Sequence, residues 1–323
     1  MWLHRYAKFV SAATVLLILA GGLVTSTGSG LAVPDWPTSY GWNMFTFPMK
    51  HMVGGIFYEH GHRLIASGVG FLTIILALWI WKAESRRWMR VLGFTALAAV
   101  CLQGLLGGLT VLYFLPTPVS TAHAGLAQIF FCMTIAIALF TSREWMGPTT
   151  DPVDDRRLRL VATTTTAVIY LQILAGAMMR HSEAGLAIPD FPFVFGGLLP
   201  PHWTAQIAIH YAHRVGALMV TLAIVATAGH VWYHHPARAE LHRPAILLCC
   251  LVLVQVTLGA FVIWSQKRVA INTAHVVVGA LTLATSLVLT LRSHQVRFTD
   301  TATAAVHLRQ PTAPHLNRSG ARA

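Results

Sequence analysis

Long apolar runs separated by short polar stretches dominate the chain. Eight runs reach the length of about 20 residues that a helix needs to cross the hydrocarbon core of a bilayer. None has the period-2 alternation of a strand, and only helices or closed barrels satisfy all backbone hydrogen bonds in lipid. We therefore predict eight transmembrane helices, over residues 9–27, 56–81, 91–114, 121–141, 160–179, 207–232, 245–264 and 271–291.

Composition supports a membrane protein. Of 323 residues, 55% are hydrophobic and 11% are charged, and the mean hydropathy is +0.60. This is too little polar surface to cover a soluble globule of that size. The net charge of +12 reflects where Lys and Arg flank the spans, so it does not indicate a nucleic-acid partner. The first apolar run lacks a small-residue cleavage pattern, and we interpret it as a retained span instead of a signal peptide.

The basic residues predict the orientation of the spans. With the N-terminus in the cytoplasm, 17 of the 23 Lys and Arg residues fall on the cytoplasmic side, as the positive-inside rule requires. Both termini are then cytoplasmic. The tail 292–323 has no apolar periodicity, and we predict that it is disordered.

An internal repeat predicts the architecture. The segment GGLVTSTGSGLAVPDWP at 21–37 recurs 155 residues later as GAMMRHSEAGLAIPDFP at 176–192. A His-Arg pair recurs after 151 residues, and a Thr-Ala-His triplet after 152 residues. We predict an all-α membrane protein of two four-helix bundles, 1–142 and 160–291, joined by a cytoplasmic linker, 143–159. Because each half has an even number of spans, the repeat is parallel, with a pseudo-twofold axis along the membrane normal.

The repeat also selects among the 17 histidines. Only two per half recur in register, His62 with His123 and His213 with His275, all near the outer ends of predicted helices. Two imidazoles facing each other across a four-helix bundle can bind haem iron on both axial sides. Capping or interface packing explains a single histidine better than four in register. Zinc is the weaker alternative, because its tetrahedral sites usually include thiolates or carboxylates.

The remaining histidines have simpler explanations. Several lie at predicted cytoplasmic helix ends, among them His230, His234 and His235, and we interpret these as solvated. Others lie in the tail or in the outer loops.

An acidic residue distinguishes the two halves. Glu59 lies in the sequence EHGHR at 59–63, whose altered copy is HYAHR at 210–214, so its counterpart is His210. Three residues separate Glu59 from His62, which places both on one helical face. We interpret Glu59 as the catalytic candidate. The alternative is an acid that only complements the helix dipole.

Two arginines follow the repeated histidines directly. Arg63 and Arg214 are candidates for pairing with haem propionates through a bidentate guanidinium fork. Snorkelling to the membrane interface is the alternative.

Taken in order, the motifs GGLVTSTGSGLAVPDWP, EHGHR, TAHAGLAQ, GLAIPDFP, HYAHR and INTAH resemble the haem A synthase family from Trp2 to Leu291. The resemblance implies two successive oxidations that convert the C8 methyl group of haem O to a formyl group, giving haem A for terminal oxidases. It also implies a bacterial plasma-membrane protein that works with a haem O synthase and cytochrome oxidase assembly proteins. The electron donor is not identified.

The resemblance further implies a division of labour. His62 and His123 would hold the substrate haem beside Glu59, which would accept a proton or stabilise positive charge on the ring. His213 and His275 would hold a resident haem b. Many family members carry a cysteine pair in the first outer loop, but residues 28–55 contain none. A thiol redox step is therefore not expected here.

Two other functions stay open. A di-haem electron carrier of the cytochrome b type would also use paired histidines, with equivalent environments in both halves. A haem transporter or assembly factor would bind the porphyrin and leave its substituents unmodified.

Overall fold

Nine helices make up the structure, a computed structural model that describes residues 1–147 and 154–294. They are α1 (Trp2–Ser26), α2 (Gly55–Ala83), α3 (Arg87–Leu112), α4 (Thr117–Phe140), α5 (Arg143–Met146), α6 (Arg156–His181), α7 (Ala205–His234), α8 (Ala239–Trp264) and α9 (Val269–Ser293). Within these ranges, short 3-10 helices occur in the two long connections, between α1 and α2 and between α6 and α7.

All helices except the four-residue α5 are long and apolar enough to span a membrane, and each overlaps one predicted span. The prediction of an all-α membrane protein with eight spans is confirmed. Several helices extend beyond the predicted ranges, because a helix continues into the polar interface after its apolar run ends. α6, for example, begins at Arg156, where the Asp155 side chain accepts the N–H of Leu158 at 2.9 Å.

The predicted linker and tail are described only in part. The linker contains α5 and the first turn of α6, and α9 continues to Ser293. Residues 148–153 of the linker and 295–323 of the tail lie outside the described residues, so the predicted disorder of the tail stays a prediction.

The long helices pack as two rings of four. In the first ring α2 lies between α1 and α3, and α4 contacts α3 and α1. In the second, α7 lies between α6 and α8, and α9 contacts α8 and α6. The rings meet through α1, α4, α6 and α9. That a pseudo-twofold axis relates them stays a prediction.

Apolar side chains fill each ring and the seam between them. One cluster includes Val69, Leu76 and Phe130 of the first ring, and another includes Ile224 and Leu248 of the second. A third joins α1, α4 and α9 through Ile18, Phe131 and Ala280. Large apolar side chains also cover the outside of the helices, which suits a protein surface that contacts lipid instead of water.

Hydroxyl groups connect the helices of the second ring. The Thr165 hydroxyl lies 2.8 Å from that of Thr227 on α7, and the Thr166 hydroxyl lies 2.7 Å from that of Ser286 on α9. Such bonds hold helices together where lipid offers no competing partner. They fix α6 against both neighbours and so hold the frame in which the repeated histidines lie.

Candidate functional site

The two long connections have the same local structure at the end of the molecule where the repeated histidines lie. In the first, the Asp35 carboxylate accepts the backbone N–H groups of Tyr40 and Gly41, at 2.7 and 2.9 Å. In the second, the Asp190 carboxylate accepts those of Phe195 and Gly196, each at 2.8 Å. Both turns have positive φ at these positions. The repeat seen in the sequence therefore extends to the backbone of the loops.

These bonds also affect the acidity of the two aspartates. Burial acts to raise the pKa of the Asp35 carboxyl, but hydrogen bonds from Gly41, Thr38 and Tyr40 outweigh it and hold that pKa below its usual value. The backbone N–H of Gly196 is the main reason why the pKa of Asp190 is also lowered. Both carboxylates are therefore charged in the folded loops at neutral pH.

The arginines next to the repeated histidines hold the loops. Arg63 donates to the carbonyls of Val33, Asp35 and Thr38 at 2.7–3.0 Å.

Arg214 donates to the carbonyls of Ile188, Asp190 and Phe193 at 2.7–3.1 Å, which are the same three positions of the repeat. Nε of Arg214 is buried without a hydrogen-bond partner. Their pairing with haem propionates stays a prediction, and the contacts present serve the loops.

Glu59 and its counterpart His210 occupy equivalent positions. Oε2 of Glu59 accepts the N–H of Val33 at 2.8 Å, and Nδ1 of His210 lies 3.3 Å from the N–H of Ile188, which it accepts. Both side chains are buried, with 3% of each residue exposed. Oε1 of Glu59 also pairs with Arg63 at 2.7 Å. The exchange of a carboxylate for an imidazole thus preserves the loop contact and changes the charge.

Each repeated histidine packs against a glycine of the neighbouring helix. A Cβ atom built on the glycine would lie 2.9–3.3 Å from Cε1 of the imidazole, so any larger residue would displace the ring. The four pairs are His62 with Gly21, His123 with Gly107, His213 with Gly176, and His275 with Gly259. The glycines recur at the spacings of the repeat. That register could have identified them from the sequence.

The four imidazoles are suited to bind the iron of a flat metalloporphyrin. Each side chain is half-buried, yet Nδ1 of His62, His123 and His275 is buried with no hydrogen-bond partner. A buried nitrogen without a partner carries a desolvation cost that a bound metal removes. The donor set and the close glycines therefore fit a haem ligated by two histidines.

Glutamines accompany the histidines from the adjacent helices. Nε2 of Gln103 donates to the backbone carbonyl of His123 at 2.9 Å, and Nε2 of Gln172 donates to that of His213 at 2.7 Å. Gln172 also lies 3.1 Å from Nδ1 of His213, whereas the equivalent position of the first half is Leu17. The two halves therefore differ in polarity around the repeated histidines.

Arg180, in the last turn of α6, was missed by the sequence analysis. Its guanidinium lies 2.6 Å from the Ser26 hydroxyl on α1 and 3.5 Å from the carbonyl of Gly22. Among the described residues no carboxylate forms an ion pair with it, because Glu183 pairs with Lys267 at 3.4 Å. Thr273, two residues before His275, donates to the same Ser26 hydroxyl at 3.0 Å, which brings Arg180 near this part of α9. The equivalent residue of the first half is Thr25. This difference between the two halves was the feature of the sequence that could have identified Arg180.

Fold and site together define the class: an integral membrane protein of eight spans that encloses two pairs of histidines, each packed against a glycine. The family model described as cytochrome oxidase assembly protein (COX15-CtaA) matches residues 4–287. The chain therefore belongs to the cytochrome oxidase assembly protein family.

Curated relatives support the same assignment. The chain is 28% identical over 285 residues to "Heme A synthase" of Geobacillus kaustophilus, a match that covers 84% of this chain and 87% of that protein. It is 27% identical over 282 residues to "Heme A synthase" of Alkalihalophilus pseudofirmus, covering 85% and 92%. The match to "Heme A synthase" of Lysinibacillus sphaericus is 26% over 281 residues, covering 84% and 90%.

Proposed function

We propose that this chain is a haem A synthase, which oxidises the C8 methyl group of haem O to a formyl group in two successive steps. The observation that carries the proposal is the recurrence of four half-buried histidines, each against its own glycine, in a chain of this family. The names of the relatives, over more than four fifths of this chain, supply the reaction.

The two histidine pairs take different roles in this proposal. His62 and His123 hold haem O as substrate, and His213 and His275 hold haem b as the resident cofactor. Haem iron bound in the second half would supply one-electron redox chemistry. The protein would supply the imidazole nitrogens that hold the iron and the close backbone approach at the glycines.

Glu59 is the proposed catalytic residue of the first half. Its buried carboxylate pairs with Arg63 at 2.7 Å and accepts the N–H of Val33 at 2.8 Å, both of which are contacts that suit an anion. A fixed negative charge beside the ring would stabilise positive charge that develops during oxidation of the methyl group. His210, in the same position of the second half, is neutral or positive. This difference supports assigning the oxidation to the first half.

The loops close the sites at their outer ends. Arg63 and Arg214 hold the loop carbonyls, while Glu59 and His210 hold one loop N–H each. We further propose that this face is extracytoplasmic and that both termini are cytoplasmic, which the distribution of Lys and Arg supports. Haem O synthase and oxidase assembly proteins are then the expected partners within the membrane.

The haem composition of the purified protein tests the proposed function. The chain is expressed in a haem O-producing host, and extracted haems are separated by chromatography and identified by mass. We expect haem A in wild type, loss of haem A with retained haem b in His62→Ala, and loss of haem b in His213→Ala. His202→Ala, in the second loop, is the matched control. Haem b alone in both sites of the wild type would favour an electron carrier, and unmodified haem O without haem A would favour a transporter.

A further inference from the structure

A second group of histidines lies at the opposite end of α7 from the haem-site residues. His230 is 17 residues after His213, a distance of about 26 Å along a helix that rises 1.5 Å per residue. Oδ2 of Asp155, at the start of α6, lies 2.7 Å from Nε2 of His230 and 2.9 Å from Nε2 of His235. The interpretation of His230 and His235 as solvated was wrong. Their side chains are 16% and 15% exposed.

The two oxygens of the Asp155 carboxylate have separate roles. Oδ1 accepts the N–H of Leu158 and caps α6, which leaves Oδ2 to face the two imidazoles. Three ligand atoms from two imidazoles and one carboxylate, all within 4.8 Å of one another, match the protein ligands of a zinc ion with an open fourth position. With metal bonds of about 2.1 Å, tetrahedral geometry separates ligand atoms by about 3.4 Å. The two present contacts would therefore lengthen by roughly 0.7 and 0.5 Å, which side-chain rotation can supply.

We propose that Asp155, His230 and His235 bind one divalent first-row cation of the zinc type, separate from the haem sites. Each imidazole binds through Nε2 and carries its proton on Nδ1. Asp155 binds through Oδ2, and water completes the coordination. The bound ion joins the start of α6 to the end of α7.

The internal repeat argues that this cluster is not part of the machinery that the two halves share. The positions equivalent to His230 and His235 in the first half are Trp79 and Glu84. Glu84 pairs with Arg86 at 2.6 Å, so the first half has an ion pair within the connection between α2 and α3, where the second half has two imidazoles that face a carboxylate. The imidazoles add the capacity to bind a metal.

Neighbouring groups hold the proposed ligands in position. Nε2 of His242 donates to the backbone carbonyl of His235 at 2.8 Å, and the ring of His234 lies 4.4 Å from that of His230. Such surrounding contacts orient ligand rings and raise metal affinity. The partial exposure of the three ligands, 15–18% of each side chain, leaves a path for an ion from solvent.

The experiment uses the full-length, haem-loaded protein in detergent at pH 7.5, after treatment with a chelator. Zn²⁺ is titrated calorimetrically, and bound zinc per chain is measured by elemental analysis. We expect one zinc per chain in wild type. Affinity should fall at least tenfold in the double variant His230→Ala/His235→Ala. His202→Ala, in the connection between α6 and α7 at the other end of α7, is the control and should bind zinc as wild type does.

Asp155→Asn distinguishes loss of the metal site from loss of folding. Asparagine keeps an oxygen that can cap α6 and loses the anionic ligand, so affinity should again fall at least tenfold while the haem absorption spectrum is unchanged. Absence of zinc binding by the wild type overturns the proposal. Equal zinc affinity in wild type and either variant also overturns it, because the contacts would then be hydrogen bonds only.

Discussion

The carboxylate of Glu59 accepts the backbone N–H of Val33 at 2.8 Å, and the position equivalent to Glu59 in the second half makes the same contact through an imidazole. Glu59 therefore has a structural contact that its counterpart shares and a charge that its counterpart lacks. Substitutions can separate these two properties.

Glu59→Gln removes the charge and retains an oxygen that can accept the Val33 N–H. We expect haem b content to stay at the wild-type level and haem A output to fall at least tenfold, because the charge beside the substrate ring is lost. Haem extraction and chromatography measure both. Glu59→Ala, which also loses the loop contact, should lower haem A and thermal stability together. Wild-type haem A output from Glu59→Gln would remove the proposed catalytic role.

Gly107→Ala tests the close contact with His123, a proposed ligand of the substrate haem. The new Cβ would lie 3.1 Å from Cε1 of His123, so the imidazole must shift by a few tenths of an ångström. We expect weaker ligation of the substrate haem, visible as a changed absorption spectrum and lower haem O and haem A content. Gly104→Ala is the control, because it lies on the same helix and its Cβ meets nothing within 4 Å. Equal spectra for the two variants would contradict a role for the contact.

Arg214→Gln tests how much the hydrogen bonds from Arg214 stabilise the second loop. Arg214 donates three hydrogen bonds to loop carbonyls, and hydrogen bonds from charged groups each contribute about 1.5–3 kcal/mol. We expect the variant to lose roughly 2–4 kcal/mol of unfolding free energy, because glutamine can replace part of these bonds. Denaturation of the purified protein measures the loss, and limited proteolysis should cut first in the second loop. Unchanged stability would indicate that the loop is held by other contacts.

Arg180→Gln tests the cation in the last turn of α6. Arg180 has no ion-pair partner among the described residues, and it shares the Ser26 hydroxyl with Thr273, two residues before His275. A nearby cation disfavours oxidised haem, so we expect the variant to have a lower midpoint potential for haem b. Redox titration measures it, and Arg180→Lys should retain most of the wild-type potential. An unchanged potential in Arg180→Gln would confine Arg180 to its contact with Ser26.

Acid should loosen the first loop through Asp35. Its pKa is lower in the folded loop than in the unfolded chain, so its stabilising contribution is complete above about pH 5 and is lost as the pH falls towards the folded pKa. Unfolding measured from pH 6 to pH 3 should show this loss in wild type. Asp35→Asn should be less stable at pH 6 and should lose less stability on acidification. Parallel curves would show that Asp35 does not contribute.

The sequence by itself determined the spans, the repeat and the four recurring histidines. Spans follow from local hydropathy, because each helix satisfies its own backbone in lipid whatever its neighbours are. The histidines followed from register, since a duplicated chain retains at equivalent positions what both halves require. Neither conclusion needs a distance between helices.

Only the tertiary structure decided which partner each polar group has. Arg63 and Arg214 hold loop carbonyls, Glu59 holds the N–H of Val33, and Asp155 faces two histidines that are about 80 residues away in sequence. These contacts depend on how helices and loops pack. Spacing along the sequence does not show which of several nearby acceptors a side chain will contact. The glycines that pack against the four histidines depend on both the sequence and the tertiary structure. Their register is visible in the sequence, but the contact that gives it meaning forms only when two helices pack side by side.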